Sequence, residues 1–579
     1  MKIKLLCFLV AMLMVVAALA SCNLFGDKDG DGGGEGGGEP KGDYYWGNST
    51  IKMALYENSN SGELSSGLKR FYAGADDTMV SQLDTDIRAR NAKATETTGV
   101  GVTYSYETDY VWGASLQKIP GETSVSSDAY PDVYCNFVYD MTSLAIRGCF
   151  MNLYANTAKS SVKLGEGQNY FAFTKDGYQG IGNNYFNSEA GGGYFYDYMQ
   201  SLSLANANGE YDKMYVLASD YCIDLVRAFL VMPVDVSMMN IDLTTWNDGT
   251  YVKDQDDDGD HDIDDFYKLV WEGKWTYDVL AEYSNAVFDG TGADTTVSEI
   301  GDILGVAFGQ TSGLTASGLL YTSDVEIIGR NGGAYAYPAS NADLDAFAKA
   351  LNDLFVDNSN KGICSVNKSV FNSNSELGDI AGIRDRFGEG GKMLFGGIIA
   401  LGSLEETAYQ NMSKDGKAGF GVVCVPMYKD GSMEDYRTLV HNLARLPAIS
   451  ANTTEFEQCT AFLNYQSTNS AKILDAYYNQ VLMGLVNSGD AKANNVKMLT
   501  FIRNHVRDCF DKTFEDVVSA YMKSNGNNDA DAQRWHQYFR DASYKVTNIP
   551  YSELVGNKDA KGSKAYNFNT ILNEWKSLK

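Results

Sequence analysis

Ile51-Lys-Met-Ala-Leu-Tyr56 alternates as a short strand, and Asp77 to Ala92 follows with the spacing of an amphipathic helix. Gly99 to Tyr106 alternates again, and Pro131-Asp-Val-Tyr-Cys-Asn-Phe137 reads as a third strand leading into a helix over Asp140–Cys149. Apolar residues at every second position fit a pleated strand, and spacing of three to four fits a helix. Strands alternating with helices predict an α/β domain with a largely parallel sheet.

The same rhythm continues along the chain. Residues 150–212 are rich in Gly, Asn, Ser and Tyr and read as an irregular elaboration between strands. Met214–Ala218 is expected to be a strand, followed by an apolar run from Ile223 to Met239. Helices are expected at Trp275–Phe288, Ala342–Val356 and Gly391–Ala408, and a strand at Gly419–Pro426. From Thr454 the pattern is mainly helical, with segments at Thr454–Gln466, Ala471–Leu485 and Ala493–Asp511. No internal repeat is evident.

Ahead of this body lies a different kind of sequence. Met1-Lys-Ile-Lys4 precedes an uncharged run from Leu5 to Ala20, ending Leu19-Ala-Ser-Cys22. A basic start, a short apolar core and small residues before the cut mark a secretory signal peptide over residues 1–21. The Leu-Ala-Ser-Cys tetrad resembles the lipobox of bacterial lipoproteins. That resemblance implies a diacylglycerol on the Cys22 thiol, cleavage before it, and work at the extracytoplasmic face of the cell membrane. Two or more acyl chains anchor stably where one is marginal. Residues 22–43 then hold GDKDGDGGGEGGGEPKGD at Gly26–Asp43, which has nothing apolar to bury and reads as a tether.

Composition narrows the function further. The chain has 44% hydrophobic and 12% aromatic residues, enough for a sizeable core, and its 579 residues suit two or three domains. With 47 basic against 75 acidic residues the net charge is −28, which excludes nucleic acid and anionic lipid surfaces as favoured partners. Neutral or cationic solutes are compatible with it. Nine cysteines occur without a CxxC pair or a histidine at zinc spacing, and several sit in apolar runs such as Val423-Cys424-Val425. Most are read as reduced core residues. Four histidines, at 261, 441, 505 and 536, leave few candidates for histidine-based catalysis.

An ordered series of segments resembles the extracellular solute-binding proteins of bacterial ABC importers, in the branch that binds sugars and oligosaccharides. It consists of Pro131-Asp132-Val133 with its helix to Gly148, Tyr215–Asp220 (YVLASD), Phe266–Leu280 (FYKLVWEGKWTYDVL), Phe387–Leu401 and Gly419–Tyr428 (GFGVVCVPMY). The Tyr477-Tyr478 and Asp508 regions resemble that family's helical carboxyl end. Gly-Lys-Trp-Thr at a helix start is the closest match.

The resemblance implies a two-lobed, type II periplasmic-binding-protein-like α/β fold with a hinge. Lobe one would take residues 44–218 and 425–468, and lobe two 222–420 and 469–579. It also implies a lipid-anchored receptor that captures a carbohydrate between its lobes and hands it to ABC permease subunits, with no covalent step of its own. Two other classes stay open: a surface lipoprotein that adheres to glycan without transport, and a hydrolase using paired carboxylates. No GxSxG, HExxH, P-loop or Rossmann glycine pattern occurs.

Candidate ligand contacts are residues that follow strand ends and carry aromatic faces or hydrogen-bonding groups. These are Tyr56 and Glu57 after the first strand, Tyr139 and Asp140 after the third, Asp220 and Tyr221 at the first crossing, and Gln310 and Ser312 in lobe two. Each has a plainer reading, since Asp is often a helix N-cap and Tyr often core. Ile398, Ile399 and Leu401 stand where the family often carries an aromatic, a departure that bears on the sugar assignment.

One loop has another chemistry. Asp254-Gln-Asp-Asp-Asp-Gly-Asp-His-Asp-Ile-Asp-Asp265 has the acidic skeleton of an EF-hand. Carboxylates at its first, third and fifth positions can surround a hard cation, glycine at the sixth allows the turn, and the twelfth can close the shell. The expectation is a structural Ca2+ held by Asp254, Asp256, Asp258, Asp260 (through its carbonyl) and Asp265. A solvated acidic turn is the plainer alternative.

Overall fold

A computed structural model describes most of residues 46–512, the larger spans outside it being 57–67, 75–80, 108–130, 154–172, 179–193, 290–302, 357–361, 367–379, 482–488 and both chain ends. The signal peptide, Cys22 and the tether lie outside the described residues. Among the described residues, ten strands form the two larger sheets: β1 Ser49–Tyr56, β2 Val100–Glu107, β3 Val133–Phe137, β4 Leu230–Asp235, β5 Leu304–Gly309, β6 Ile363–Val366, β7 Met393–Phe395, β8 Ile399–Ala400, β9 Phe420–Val423 and β10 Arg445–Ile449.

The two sheets have the same order. In the first, β1 lies between β2 and β3, all parallel, with Ser49 opposite Val100 and Met53 opposite Val133. Antiparallel β10 pairs with β3, Arg445 opposite Phe137. In the second, β5 lies between β6 and β7, again parallel, and antiparallel β4 pairs with β7, Phe395 opposite Val234.

A last neighbour closes each antiparallel strand. β9 flanks β4, and the segment Met214–Ala218 flanks β10 through a bridge between Val216 and Ala448. Each antiparallel strand is therefore reached directly from the last strand of the other sheet: from 218 to β4, and from β9 to β10. The expected two-lobed α/β architecture is the one observed.

Local sequence explains the elements. The helix Gln82–Thr98 starts on a capping box, with the Ser81 side chain and the Asp84 carboxylate each taking the other's backbone N–H, and stops at Gly99. It joins β1 to β2 as the crossover that parallel strands require. Asp132, just ahead of β3, accepts from Lys52 N of the neighbouring β1 at 2.8 Å and from Thr453 Oγ1, past β10, at 2.6 Å.

The Gly-Lys-Trp-Thr stretch is also a structural clasp. Trp275 is fully buried, and its ring nitrogen donates to the Cys424 carbonyl at 2.8 Å. Its backbone N–H donates to the Tyr436 hydroxyl at 2.7 Å. Gly273, at φ +73°, lets the backbone of Gly431 come so close that a Cβ would sit 2.3 Å from the Gly431 oxygen. The motif fastens the return passage, residues 424–436, to the second sheet.

Two expectations, at Gly391–Ala408 and Met214–Ala218, are corrected. Gly391–Ala408 is not a helix but β7, β8 and a 3-10 turn over Leu401–Glu405. A fully buried apolar run has no period to read, and a Cβ at Gly396 would lie 2.6 Å from the Pro233 ring. The run Ile223–Met239 divides into a five-residue helix, Ile223–Arg227, and β4. Met214–Ala218 touches the sheet through one bridge rather than as a full strand, because the chain is already leaving for the other sheet.

Around the expected lobe boundary at 468/469 the helices pack as follows. The helix Ala471–Ala476, expected in lobe two, packs on Gln82–Thr98 of the first sheet, and Ser470 takes a hydrogen bond from buried Arg90 at 2.9 Å. The helix Gly489–Asn504 packs on β9 and on Ile263–Trp271 of the second sheet. The π-helical turn Tyr477–Val481 follows the first of these two helices.

Candidate functional site

Carboxyl ends of parallel strands and points where strand order reverses are where α/β folds place ligands. In the first sheet the described end of this kind is occupied by Tyr56 and Phe137, the last residues of β1 and β3. Their rings meet edge to face at 5.3 Å, with Leu443 packed against them. Tyr56 is buried at 3% exposure, so its ring is part of this packing.

Behind the aromatic pair lies a buried charge network. The Arg445 guanidinium sits 5.5 Å from the Phe137 ring and donates to both oxygens of Asp224 at 3.1 Å. Asp224 also lies 3.4 Å from Arg227. Arg227 Nε is 2.6 Å and Nη2 3.2 Å from the two oxygens of Glu405, a forked pair, and the guanidinium covers the Phe71 ring at 4.7 Å. The Tyr477 hydroxyl donates to Glu405 at 2.9 Å.

Two cations thus meet two anions, as burial of charge demands. Burial alone would lower the Arg227 pKa, but Glu405, Tyr477 and Asp224 outweigh it and the net direction is up. Burial, with Glu405 beside it, pushes the Tyr477 phenol well above its ordinary value. Of these five residues the sequence singled out Tyr477 alone, and for a resemblance rather than for a charge partner. Partners 178 and 221 residues apart leave no local pattern to find.

The expected contacts divide as follows. Asp220 is buried and its carboxylate is taken by Arg503, whose Nε lies 3.0 Å from Oδ1. Burial raises its pKa, and the Arg503 hydrogen bond and charge pull it back. Arg503 in turn covers the Phe195 ring at 5.2 Å. Glu57, Tyr139, Asp140, Tyr221, Gln310 and Ser312 lie outside the described residues. Ile398, Ile399 and Leu401 are buried core residues at and beside β8.

The acidic loop is organised by its own backbone. Asp254 accepts from the N–H of Asp257 at 2.7 Å and of Gly259 at 2.9 Å. Asp265, 1% exposed, accepts from Gln255 N at 2.5 Å and from Asp262 N at 3.0 Å. Asp260, Asp262 and Asp265 each offer an oxygen, all within 4.8 Å of one another. Asp262, absent from the expected ligand set, belongs to this group, and Asp256 and Asp258 lie outside the described residues. Carboxylates gathered in this way fit a hard cation. His261, at the position where an apolar residue is usual, plugs the core: its ring nitrogens lie 3.0 Å from the Met239 carbonyl and 2.9 Å from the Tyr283 hydroxyl.

Among the described residues, no helix is long and apolar enough to cross a membrane. No family model and no curated protein matches the chain. Solved structures do. An ABC substrate-binding protein of Listeria monocytogenes in complex with cycloalternan is 9% identical, with 88% of this chain and 100% of that one covered and a TM-score of 0.40. The GacH receptor of Streptomyces glaucescens, solved unliganded and with acarbose, is 10% identical, covering 86% and 98%, at 0.40. The galacto-N-biose-/lacto-N-biose I-binding protein of an ABC transporter of Bifidobacterium longum, in complex with lacto-N-biose, is 12% identical, covering 86% and 96%, at 0.41.

Proposed function

We propose that this chain is the solute receptor of an ABC importer, anchored outside the cell by lipid on Cys22. It captures a carbohydrate between its two lobes and presents it to the permease subunits. The observation that carries the reading is the reciprocal strand exchange: each sheet takes its antiparallel strand directly from the last strand of the other. Two α/β units joined by such passages can close around a solute as a hinge. Carbohydrate is the class that the resemblance of Phe266–Leu280 and Phe387–Leu401 implies.

The contacts we propose for the solute are Glu57, Tyr139, Asp140, Tyr221, Gln310 and Ser312, from the strand ends and the first passage. Tyr56, packed on Phe137, and Asp220, paired with Arg503, complete the set. A calcium ion held by Asp260, Asp262 and Asp265, with Asp254, Asp256 and Asp258 from the loop start, would brace lobe two, since Asp265 opens the helix Ile263–Trp271. It would neutralise the crowded carboxylates and take no part in solute chemistry.

A thermal-shift screen of the purified protein against mono- and oligosaccharides, amino acids and peptides tests the reading. A saccharide that raises the melting temperature saturably supports it, because a ligand of the folded state stabilises by mass action. No shift with any solute, together with retention on insoluble polysaccharide, would replace it with the adhesion reading.

A further inference from the structure

Among the described residues, three stretches lie between elements of one sheet and elements of the other: residues 218–229, residues 424–445, and one that opens with the π turn Tyr477–Val481. Glu405 touches the first and the third. It ends the 3-10 turn that continues β8 in the second sheet, and its carboxylate holds Arg227 of the first passage and Tyr477 of the third.

Arg227 itself reaches the other way. Its guanidinium lies over Phe71, on the short helix Leu68–Ala73 that packs against β1 and the helix Gln82–Thr98. One side chain thus spans from an element of the first sheet to an element of the second. The π turn explains how Tyr477 takes part. A widened turn rotates the residues it contains relative to an α-helix, and such turns often occur at functional sites. Here consecutive tyrosines serve two ion pairs: Tyr477 bonds to Glu405, and Tyr478 lies buried in the field of Asp220 and Arg503.

We propose that Glu405 is a latch between the lobes: it ties Arg227 to Tyr477, so the lobes move relative to each other only when this triad opens. The neighbouring Asp224–Arg445 pair stays closed as the pivot, being fully buried at 0% and 1% exposure, whereas Glu405 is 22% exposed at its side chain. Water can therefore reach the latch but not the pivot. The inference rests on the two-lobed receptor reading, and it is tested without any solute so that the two can fail separately.

Hydrogen exchange followed by mass spectrometry on the ligand-free full chain provides the test. Glu405→Gln should speed exchange of the amides in 223–229 and 476–481 together, by about tenfold or more. The strands 49–56 and 304–309 should keep their rates. Tyr477→Phe, which removes a single hydroxyl, should speed the same two segments to a smaller extent. Acceleration confined to residues near 405, or acceleration of one segment without the other in Tyr477→Phe, would overturn the latch. If Glu405→Gln loosens the whole molecule, the Tyr477→Phe result decides.

Discussion

Arg503 and Asp220 form an ion pair across 283 residues of sequence, Nε to Oδ1 at 3.0 Å, and this pair takes up a carboxylate expected to meet solute. Asp220 is 5% exposed at its side chain and Arg503 25%. Arg503→Ala leaves the carboxylate buried and unpaired, and the expected loss is about 3 kcal/mol in urea unfolding. Arg503→Ala with Asp220→Asn should recover much of it, because the stranded charge is gone. If Asp220→Asn instead abolishes saccharide binding at unchanged stability, Asp220 belongs to the solute site.

Gly273→Ala should be severely destabilising. The left-handed backbone alone costs about 1–2 kcal/mol for an L-residue. The added Cβ also meets the Gly431 backbone at 2.3 Å, which neither chain can avoid while Gly431 N donates to Gly273 O. The melting temperature should fall by several degrees, and the amides of 428–436 should exchange faster. An unchanged melting temperature would show that the clasp carries little.

The pH dependence of the same clasp follows from Asp435. Its carboxylate accepts from Ser432 N at 2.7 Å and from Ser432 Oγ at 2.9 Å. These bonds, the backbone one first, lower its pKa below the ordinary 3.8. A carboxylate with a lower pKa folded than unfolded contributes stability above the unfolded value and loses it as pH falls through the folded one. Exchange at 428–436 should therefore rise below about pH 4, where the unfolded carboxylate titrates. Asp435→Asn should make that segment open already at neutral pH and remove the dependence.

The described cysteines should be unreactive in the native protein. Cys135, Cys149, Cys424 and Cys459 are buried free thiols. Burial pushes the Cys135 pKa up to about 12, with the Tyr72 hydroxyl 3.0 Å from its sulfur, and pushes Cys424 and Cys459 up as well. Iodoacetamide at about pH 8 should leave these three unlabelled until denaturant is added, since only the thiolate reacts. Labelling of Cys135 in the folded protein would contradict its burial.

Much of the architecture was legible in the chain because its signals are local. β1, β2, β3 and a helix between the first two were readable from alternation and spacing, although the helix expected at Asp77–Ala92 runs over Gln82–Thr98. The misread stretch Gly391–Ala408 shows the limit: a strand buried on both faces has no polar face to mark its period. The charge network was invisible for another reason. Asp224, Arg227, Glu405, Arg445 and Tyr477 come from four separate segments, and only the strand exchange brings them together. Asp220 was picked out, but its pairing with Arg503 was not, since that partner lies 283 residues away in sequence.

Calcium is checked by melting the protein with added Ca2+ and with chelator. The account expects a higher melting temperature with the ion, and a smaller response in Asp265→Asn, which weakens the oxygen set around Asp260 and Asp262. A melting temperature unmoved by either addition would make the loop a solvated acidic turn whose carboxylates are satisfied by Gln255, Asp257, Gly259 and Asp262 backbone N–H groups.

Closure around solute is the central claim, and small-angle X-ray scattering measures it most directly. With the saccharide that raises the melting temperature at saturation, the radius of gyration should fall relative to the free protein. A radius of gyration unchanged by a saturating saccharide would contradict a receptor that closes between its lobes.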